Sequence, residues 1–382
     1  MKPQLPAPSA EAQAASRKLL NILTDDIRRN GDMPFSRFME QVLYLPELGY
    51  YSGGSHKIGA AGDFITAPTL SPLFGQTLAR QLSELLPQTE GNLYEFGAGT
   101  GALAATLLNS LGDTVRHYYI IEISAELAER QRQFIRQQVS AEQADKVVHL
   151  TALPDSFNGI IIGNEVLDAM PVEVVKREHG TFQRITVAAG EHGLHTAETP
   201  LTDPDLLQAA HSYFPDCEPY TSELHPAQHA FIRTLAAKLV CGGMIWIDYG
   251  FDAAQYYHPQ RNSGTLIGHY RHHTVHDPFF HVGLTDLTAH VNFTDIAQAG
   301  TDGGLDLIGY TTQANFLLNL GLTDLLAQHG DSRSPEYLKA AAAAQTLINP
   351  HEMGELFKVM AFGKNLAIDW TGFRCGDICH KL

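Results

Sequence analysis

Three groups of residues have types and spacings suited to chemistry. The first is Tyr94-Glu95-Phe96-Gly97-Ala98-Gly99-Thr100-Gly101, a short apolar run that ends in glycines and opens into a helical stretch. Glycine at such a turn lets the backbone approach a nucleotide-like ligand that a Cβ would hold away. The second is Glu122, 21 residues after Gly101 (122 − 101). An acid near that spacing, at the end of the next strand, accepts hydrogen bonds from ribose hydroxyls. The third is Asn164-Glu165, with Asp168 close behind, in GNEVLDAMP. Polar side chains that leave the carboxyl end of an apolar strand face the ligand in open α/β sheets. Glu165 and Asp168 could take protons, orient a nucleophile or pair with a cationic substrate. Asp248 and Tyr249 follow the next apolar run and meet the same positional test. Each group also has a plainer reading. The glycines could form a simple turn, Glu122 could face solvent, and Asp168 could cap the turn before Pro171.

The glycine spacing narrows the ligand. Dinucleotide enzymes prefer G-x-G-x-x-G, which sets a pyrophosphate on a helix N-terminus. Here the pattern is G-x-G-x-G, with Glu95 two residues before the first glycine. S-adenosylmethionine lacks a pyrophosphate and carries an ammonium group that favours such an acid, so it is the expected cofactor. Methyl transfer from it needs the nucleophile, methyl and sulfur held in line. No metal is expected. His269, His272, His273, His276 and His281 crowd one segment without a fixed ligand pattern, and Cys375 and Cys379 have the wrong spacing for a zinc ribbon.

These residues need a scaffold of alternating strands and helices. The apolar runs at 93–96, 117–123, 146–150 and 159–166 alternate with helical patterns at 102–111 and 125–138, which implies a mostly parallel sheet covered on both faces. The expected fold class is α/β, a Rossmann-like core with an N-terminal helical extension and an insertion after the fourth strand. Helices are expected at 11–29, 36–43 and 71–85, a hairpin at 172–189, and irregular chain over 190–223. A helix at 226–240 and a strand at 244–251 follow. Residues 252–284 read as a long loop over a site. The expected division is 1–88 for the extension, 89–171 and 240–382 for the core, and 172–239 for a substrate-side insertion. The insertion and the loop are expected to wall the acceptor pocket.

Composition limits the partners. The chain has 26 basic and 42 acidic residues, for a net charge of −16. That balance repels phosphate backbones and disfavours nucleic acid as a partner. No apolar run is long enough to span a membrane. Four cysteines and the absence of an apolar leader give the expectation of a cytoplasmic protein.

The chain resembles the MidA family of methyltransferases through an ordered set of motifs between about residues 31 and 363. They include GDFITAP with SPLFGQ, EFGAGTGAL, IIEIS, GNEVLDAMPV, WIDYGF, GTLIGHYRHH, TTQANFLLNLG and MGELFKVMAF. The resemblance implies cofactor contacts from Gly97, Gly99 and Gly101, a ribose contact from Glu122, and a covering segment from Gly62, Asp63, Phe64 and Thr66. It also implies methyl transfer, in a family with a member that modifies a protein arginine. The sequence departs from the family pattern at Thr69 and Gln76, where acids are usual. A protein substrate is therefore expected, with a small-molecule acceptor or a cofactor-binding assembly factor as alternatives.

Overall fold

A computed structural model describes residues 5–53 and 66–382. Helix α1 (Ala10–Asn30) starts where the Ser9 hydroxyl accepts from the Ala12 N–H and stops at Gly31, whose φ is +88°. Leu19, Leu23 and Ile27 form its buried stripe. Strand β1 (Met33–Pro34) leads into α2 (Phe35–Tyr44). After the undescribed segment come α3 (Ala67–Leu70) and α4 (Pro72–Leu85). In α3, Thr66 and Thr69 cap one another, which gives the Thr69 hydroxyl a structural partner.

The core then follows as β2 (Asn92–Phe96), α5 (Ala102–Leu111), β3 (His117–Ile121), α6 (Ala125–Gln138), β4 (Val147–Leu150) and β5 (Phe157–Asn164). The insertion supplies β6 (Glu173–Glu178), β7 (Thr181–Gly190), β8 (Gly193–Pro200) and β9 (Tyr220–Leu224). Strand β10 (Leu239–Phe251) returns to the core. Short strands β11 (Ile267–Tyr270), β12 (His273–Val275), β13 (Asp286–Thr288) and β14 (Val291–Asn292) precede β15 (Asp306–Thr312) and β16 (Phe357–Lys364).

The main sheet has the order β15-β16-β10-β5-β2-β3-β4, with β14 pairing in parallel beside the last residues of β10. Strands β4, β3, β2, β5 and β10 are mutually parallel, and β16 runs antiparallel to both its neighbours. This is the expected α/β class with a mostly parallel sheet. Chain order reverses between β2 and β5, the place where such sheets bind ligands. Successive side chains feed two cores. Ile160, Ile162, Ile245 and Ile247 enter one face, while Ile161, Met244 and Trp246 enter the other.

Two expectations need correction. Residues 190–223 are not irregular: they hold β8, the helix Pro204–Tyr213 and β9. Strand β8 escaped notice because its side chains are half-exposed or exposed and mostly polar, so no apolar alternation marks it. Nor is 252–284 a bare loop. It holds the short helix Ala253–Tyr256 and a hairpin of β11 and β12, and β13 joins β11 on the other side. The crowded histidines sit around this hairpin, with Arg271 and His272 at its tip in left-handed backbone.

The insertion does not stand alone. Strand β7 pairs with β1, and the apolar face of the insertion packs on α1 and α2 through Val174, Ile185, Val187, Leu23 and Phe38. At the centre of the main sheet, Gly163 lies under the ring of Trp246, and a Cβ there would come within 2.3 Å of Trp246 Cζ3. Gly163→Ala is expected to cost about 1–3 kcal/mol through overpacking. Thermal or denaturant unfolding checks this, with a lowered midpoint as the expected outcome.

Candidate functional site

The glycine loop joins β2 to α5. Gly97, Gly99 and Gly101 have φ of +65°, +54° and +86°, values that disfavour any side chain. A Cβ on Gly97 would also lie 2.8 Å from Val166 Cγ2. Beside the loop, Glu122 follows β3 directly. It accepts from the Ser124 N–H at 2.8 Å and from Gln131 Nε2 at 3.2 Å. Burial raises its pKa, and those donors oppose the shift. Glu95 is almost fully buried and accepts from the Tyr118 hydroxyl at 2.7 Å. Its pKa is pushed up to about 7 by burial, which the Tyr118 bond opposes.

Across a cavity of about 460 Å³ lies the turn after β5. Glu165 adopts a φ of +54°, a strained position for a residue with a side chain. Its N–H donates to Ile247 O, and its carboxyl accepts from Asn164 Nδ2 at 3.0 Å. Burial, then the Asp168 charge, raises the Glu165 pKa to about 8. Asp168 Oδ2 accepts from the Tyr249 hydroxyl, and its Oδ1 is buried without a protein partner. Burial raises the Asp168 pKa too, while the Tyr249 bond and nearby backbone N–H groups oppose it. Those N–H groups belong to Asp168 itself and Ala169.

Asp248 takes a different part. Its Oδ2 accepts from the backbone N–H of Val166, Leu167 and Asp168 at 3.1, 2.9 and 3.3 Å. The carboxylate therefore solvates the turn that carries Glu165 and Asp168. Burial and the charges of Asp168 and Glu165 push its pKa well above the carboxylate range.

The described lining of the cavity brings together Thr66, Glu95, Gly97, Gly99, Glu122, Asn164, Glu165 and Asp168. Gly101 stands behind them as the N-cap of α5. Asp63 and Phe64 lie outside the described residues. The wall opposite the glycine loop differs from expectation. Among the described residues none from 172–239 or 252–284 lines the cavity, and Tyr44, Tyr50, Tyr51 and Asp286 do so instead. The reason is the packing above, in which α1 and α2 cover the apolar face of the insertion. The rings of Tyr44 and Tyr51 stack at 5.5 Å, and the Tyr51 hydroxyl lies 3.0 Å from both oxygens of Asp286. Sequence reasoning missed these residues. The one signal was three tyrosines crowded into residues 44–51.

The glycine loop, the acid after β3 and the acids after β5 fit a nucleoside carrying cationic groups. A family model of S-adenosyl-L-methionine-dependent methyltransferases matches residues 73–311, and the chain belongs to that family. A protein from Burkholderia thailandensis, crystallised with S-adenosyl-homocysteine, is 44% identical and superposes with a TM-score of 0.94, covering 99% of this chain and 100% of that one. A native crystal structure of a protein of that superfamily from the same organism, also 44% identical, superposes with a TM-score of 0.92 over 99% of this chain and 100% of that one. Among curated proteins, the mitochondrial protein arginine methyltransferase NDUFAF7 of Danio rerio is 24% identical, covering 92% of this chain and 88% of its own length. The Homo sapiens protein of that name is 25% identical over 90% of this chain and 82% of its own length. This chain is thus an S-adenosylmethionine-dependent methyltransferase.

The comparisons overturn the cytoplasmic expectation, since these curated relatives are named as mitochondrial. Few cysteines report a reducing environment and do not identify the compartment that provides it. Among the described residues no helix is long and apolar enough to cross a membrane.

Two outcomes follow from this geometry. Gly99→Val is expected to abolish S-adenosylmethionine binding in a protein that still folds, because the side chain is added at a left-handed position that lines the cavity. Calorimetry on the folded variant checks it, and unchanged affinity would refute the loop assignment. The second concerns pH. Unfolded, Glu165 loses its proton near its ordinary value of 4.5; folded, it keeps it up to about 8. The folded state binds more protons between those values, so this group's stabilisation is complete below 4.5 and is lost as pH rises through about 8. Melting temperatures of the ligand-free protein should fall with pH across that window, and Glu165→Gln should flatten the fall. An equal slope in the variant would show that Glu165 does not titrate there.

Proposed function

We propose that the chain transfers a methyl group to a cationic side chain of a protein, an arginine, held by Glu165 and Asp168. One observation carries this reading. Five carboxyl groups, Glu95, Glu122, Glu165, Asp168 and Asp286, line the cavity, and no Lys, Arg or His does so among the described residues. Carboxyl groups gathered in a desolvated site hold their protons when it is empty, as Glu165 does up to about pH 8, and a cation is favoured because it supplies the counter-charge that lets them ionise. The cofactor supplies an activated methyl on a sulfonium and brings part of that positive charge; the acceptor brings the rest. The names of the curated relatives support arginine as the acceptor.

The residues divide into two sides in this reading. Gly97, Gly99 and Gly101 give backbone access to the cofactor, Glu122 takes its ribose, and Glu95, Asn164 and Thr66 border it, with Asp63 and Phe64 assigned to the covering segment. On the other side, Glu165 and Asp168 hold a guanidinium through charge-assisted hydrogen bonds. Asp168 Oδ1, buried and without a protein partner, offers a lone pair for one guanidinium N–H. The carboxylates orient the attacking nitrogen in line with the methyl and accept the proton it gives up. Tyr249 fixes the Asp168 carboxyl through its hydroxyl.

The test is transfer of labelled methyl from S-adenosylmethionine to a cell extract, resolved into protein and small-molecule fractions, followed by amino-acid analysis of the labelled fraction. Label on methylarginine in protein is expected; label confined to small molecules overturns the proposal. Asp168→Asn and Glu165→Gln should leave cofactor affinity nearly unchanged and lower the single-turnover rate by about 100-fold or more. A full rate with a lowered melting temperature would reduce Asp168 to its capping role.

A further inference from the structure

Outside the residues already assigned, one buried polar chain runs into the cofactor side of the site. Gln131 lies on α6, and its side chain is fully buried. Its Nε2 lies 3.0 Å from Gly99 O and 3.2 Å from Glu122 Oε2. Its Oε1 lies 3.0 Å from His149 Nε2 at the end of β4. These partners determine every proton. Gly99 O and the Glu122 carboxylate only accept, so the Gln131 amide must present its NH2 to them. Its carbonyl oxygen then faces His149, whose Nε2 must carry the hydrogen. Burial, with Arg132 nearby, lowers the His149 pKa to about 4, so the ring is neutral and has one such hydrogen to give.

The chain of donors reads His149 to Gln131, and Gln131 to both Gly99 and Glu122. Each end bears on a cofactor contact. With Gly99 O turned to Gln131, the planar peptide directs the Thr100 N–H to the opposite side. Glu122 Oε1 is held by the Ser124 N–H and Oε2 by Gln131, which orients the carboxylate and leaves lone pairs on both oxygens.

We propose that Gln131, locked by His149, is a positioning residue for the cofactor, setting the glycine loop and the ribose-binding acid relative to one another. The proposal rests on the reading of Glu122 as the ribose contact. It explains why a helix of largely polar sequence buries a glutamine completely: the amide is the part that spans loop, strand end and edge strand. The carboxamide is required. Leucine makes neither bond, and a glutamate would set a second carboxylate against Glu122 and the Gly99 carbonyl.

The experiment is calorimetric titration of S-adenosyl-homocysteine into the wild type, Gln131→Leu, Glu122→Ala and the double variant. Gln131→Leu should weaken binding about tenfold, the size of one hydrogen bond to a charged group. The double variant should lose clearly less than the sum of the two single losses, because part of the Gln131 effect passes through Glu122 and only the part that passes through Gly99 O remains. Fully additive losses, or unchanged affinity in Gln131→Leu, overturn the proposal. Unchanged affinity in Glu122→Ala refutes the ribose reading instead, so the two failures are distinct. Two further variants guard against misfolding of Gln131→Leu. His149→Phe, at a half-exposed site, should weaken binding several-fold, by the loss of one neutral hydrogen bond. Gln131→Glu should bind more weakly at about pH 8 than at about pH 5, where its carboxyl is closer to neutral. A pH-independent affinity in Gln131→Glu, with His149→Phe binding as the wild type does, overturns the proposal by a second route.

Discussion

The carboxylate of Asp248 is the contact on which the site depends. It sits at the end of β10 and accepts three successive backbone N–H groups from the turn after β5. A chain that leaves a buried strand and reverses direction exposes N–H groups that need partners. A buried carboxylate, in turn, is costly unless several donors solvate it. Each solves the other's problem. Gln228 Nε2 donates to Leu167 O, and the Ala289 N–H donates to Asp168 O, so the turn is fixed from two further directions. Only a turn held this firmly can keep Glu165 in left-handed backbone. The strand that carries Asp248 also carries Tyr249, whose hydroxyl reaches Asp168. One strand end therefore sets both the backbone and the side chain of the acidic turn.

That rigidity serves an electrostatic arrangement that weakens the empty protein. Burial raises the proton affinity of Glu165 and Asp168, the Asp168 charge raises that of Glu165 further, and Asp286 lines the same pocket with the Tyr51 hydroxyl on its carboxyl group. A pocket built for stability would not gather these charges. A pocket built for cations would, because the ligand supplies the counter-charge and removes the strain as it binds. The unpaired Asp168 Oδ1 fits the same logic.

The core was legible in sequence because its strands are buried on both faces and read as unbroken apolar runs, as at Ile160 to Ile162. Glycine spacing and the interval to Glu122 marked the cofactor side, since both lie within about 30 residues of continuous chain. The side proposed for the acceptor was legible only at Glu165, Asp168 and Tyr249. Tyr51 and Asp286 meet across 235 positions, and no local pattern reports such a contact. Asp248 met the positional test, but its partners are backbone N–H groups, which sequence does not display. Gln131 was hidden in a helix face that reads as solvent-exposed, because burial of a polar residue depends on neighbours brought by other strands.

The two sides of the pocket thus differ in how they are built. In the proposed reading most cofactor contacts come from one stretch, Glu95 to Glu122, at the ends of adjacent strands of the main sheet, with Thr66 and Asn164 joining from outside it. The acceptor wall is assembled from residues 44–51, 165–171, 249 and 286. The N-terminal extension reaches it because β1 joins the insertion sheet through β7, and because the Tyr44 hydroxyl donates to Ala169 O in the acidic turn. A fold shared with other methyltransferases can fix the methyl donor mostly through the first stretch. It leaves the acceptor to whatever elements are appended around the second. In this chain those elements lean on the same turn that Asp248 holds, through the Tyr44 hydroxyl on Ala169 O and the Tyr249 hydroxyl on Asp168, so a single rigid element positions the acidic side of the pocket.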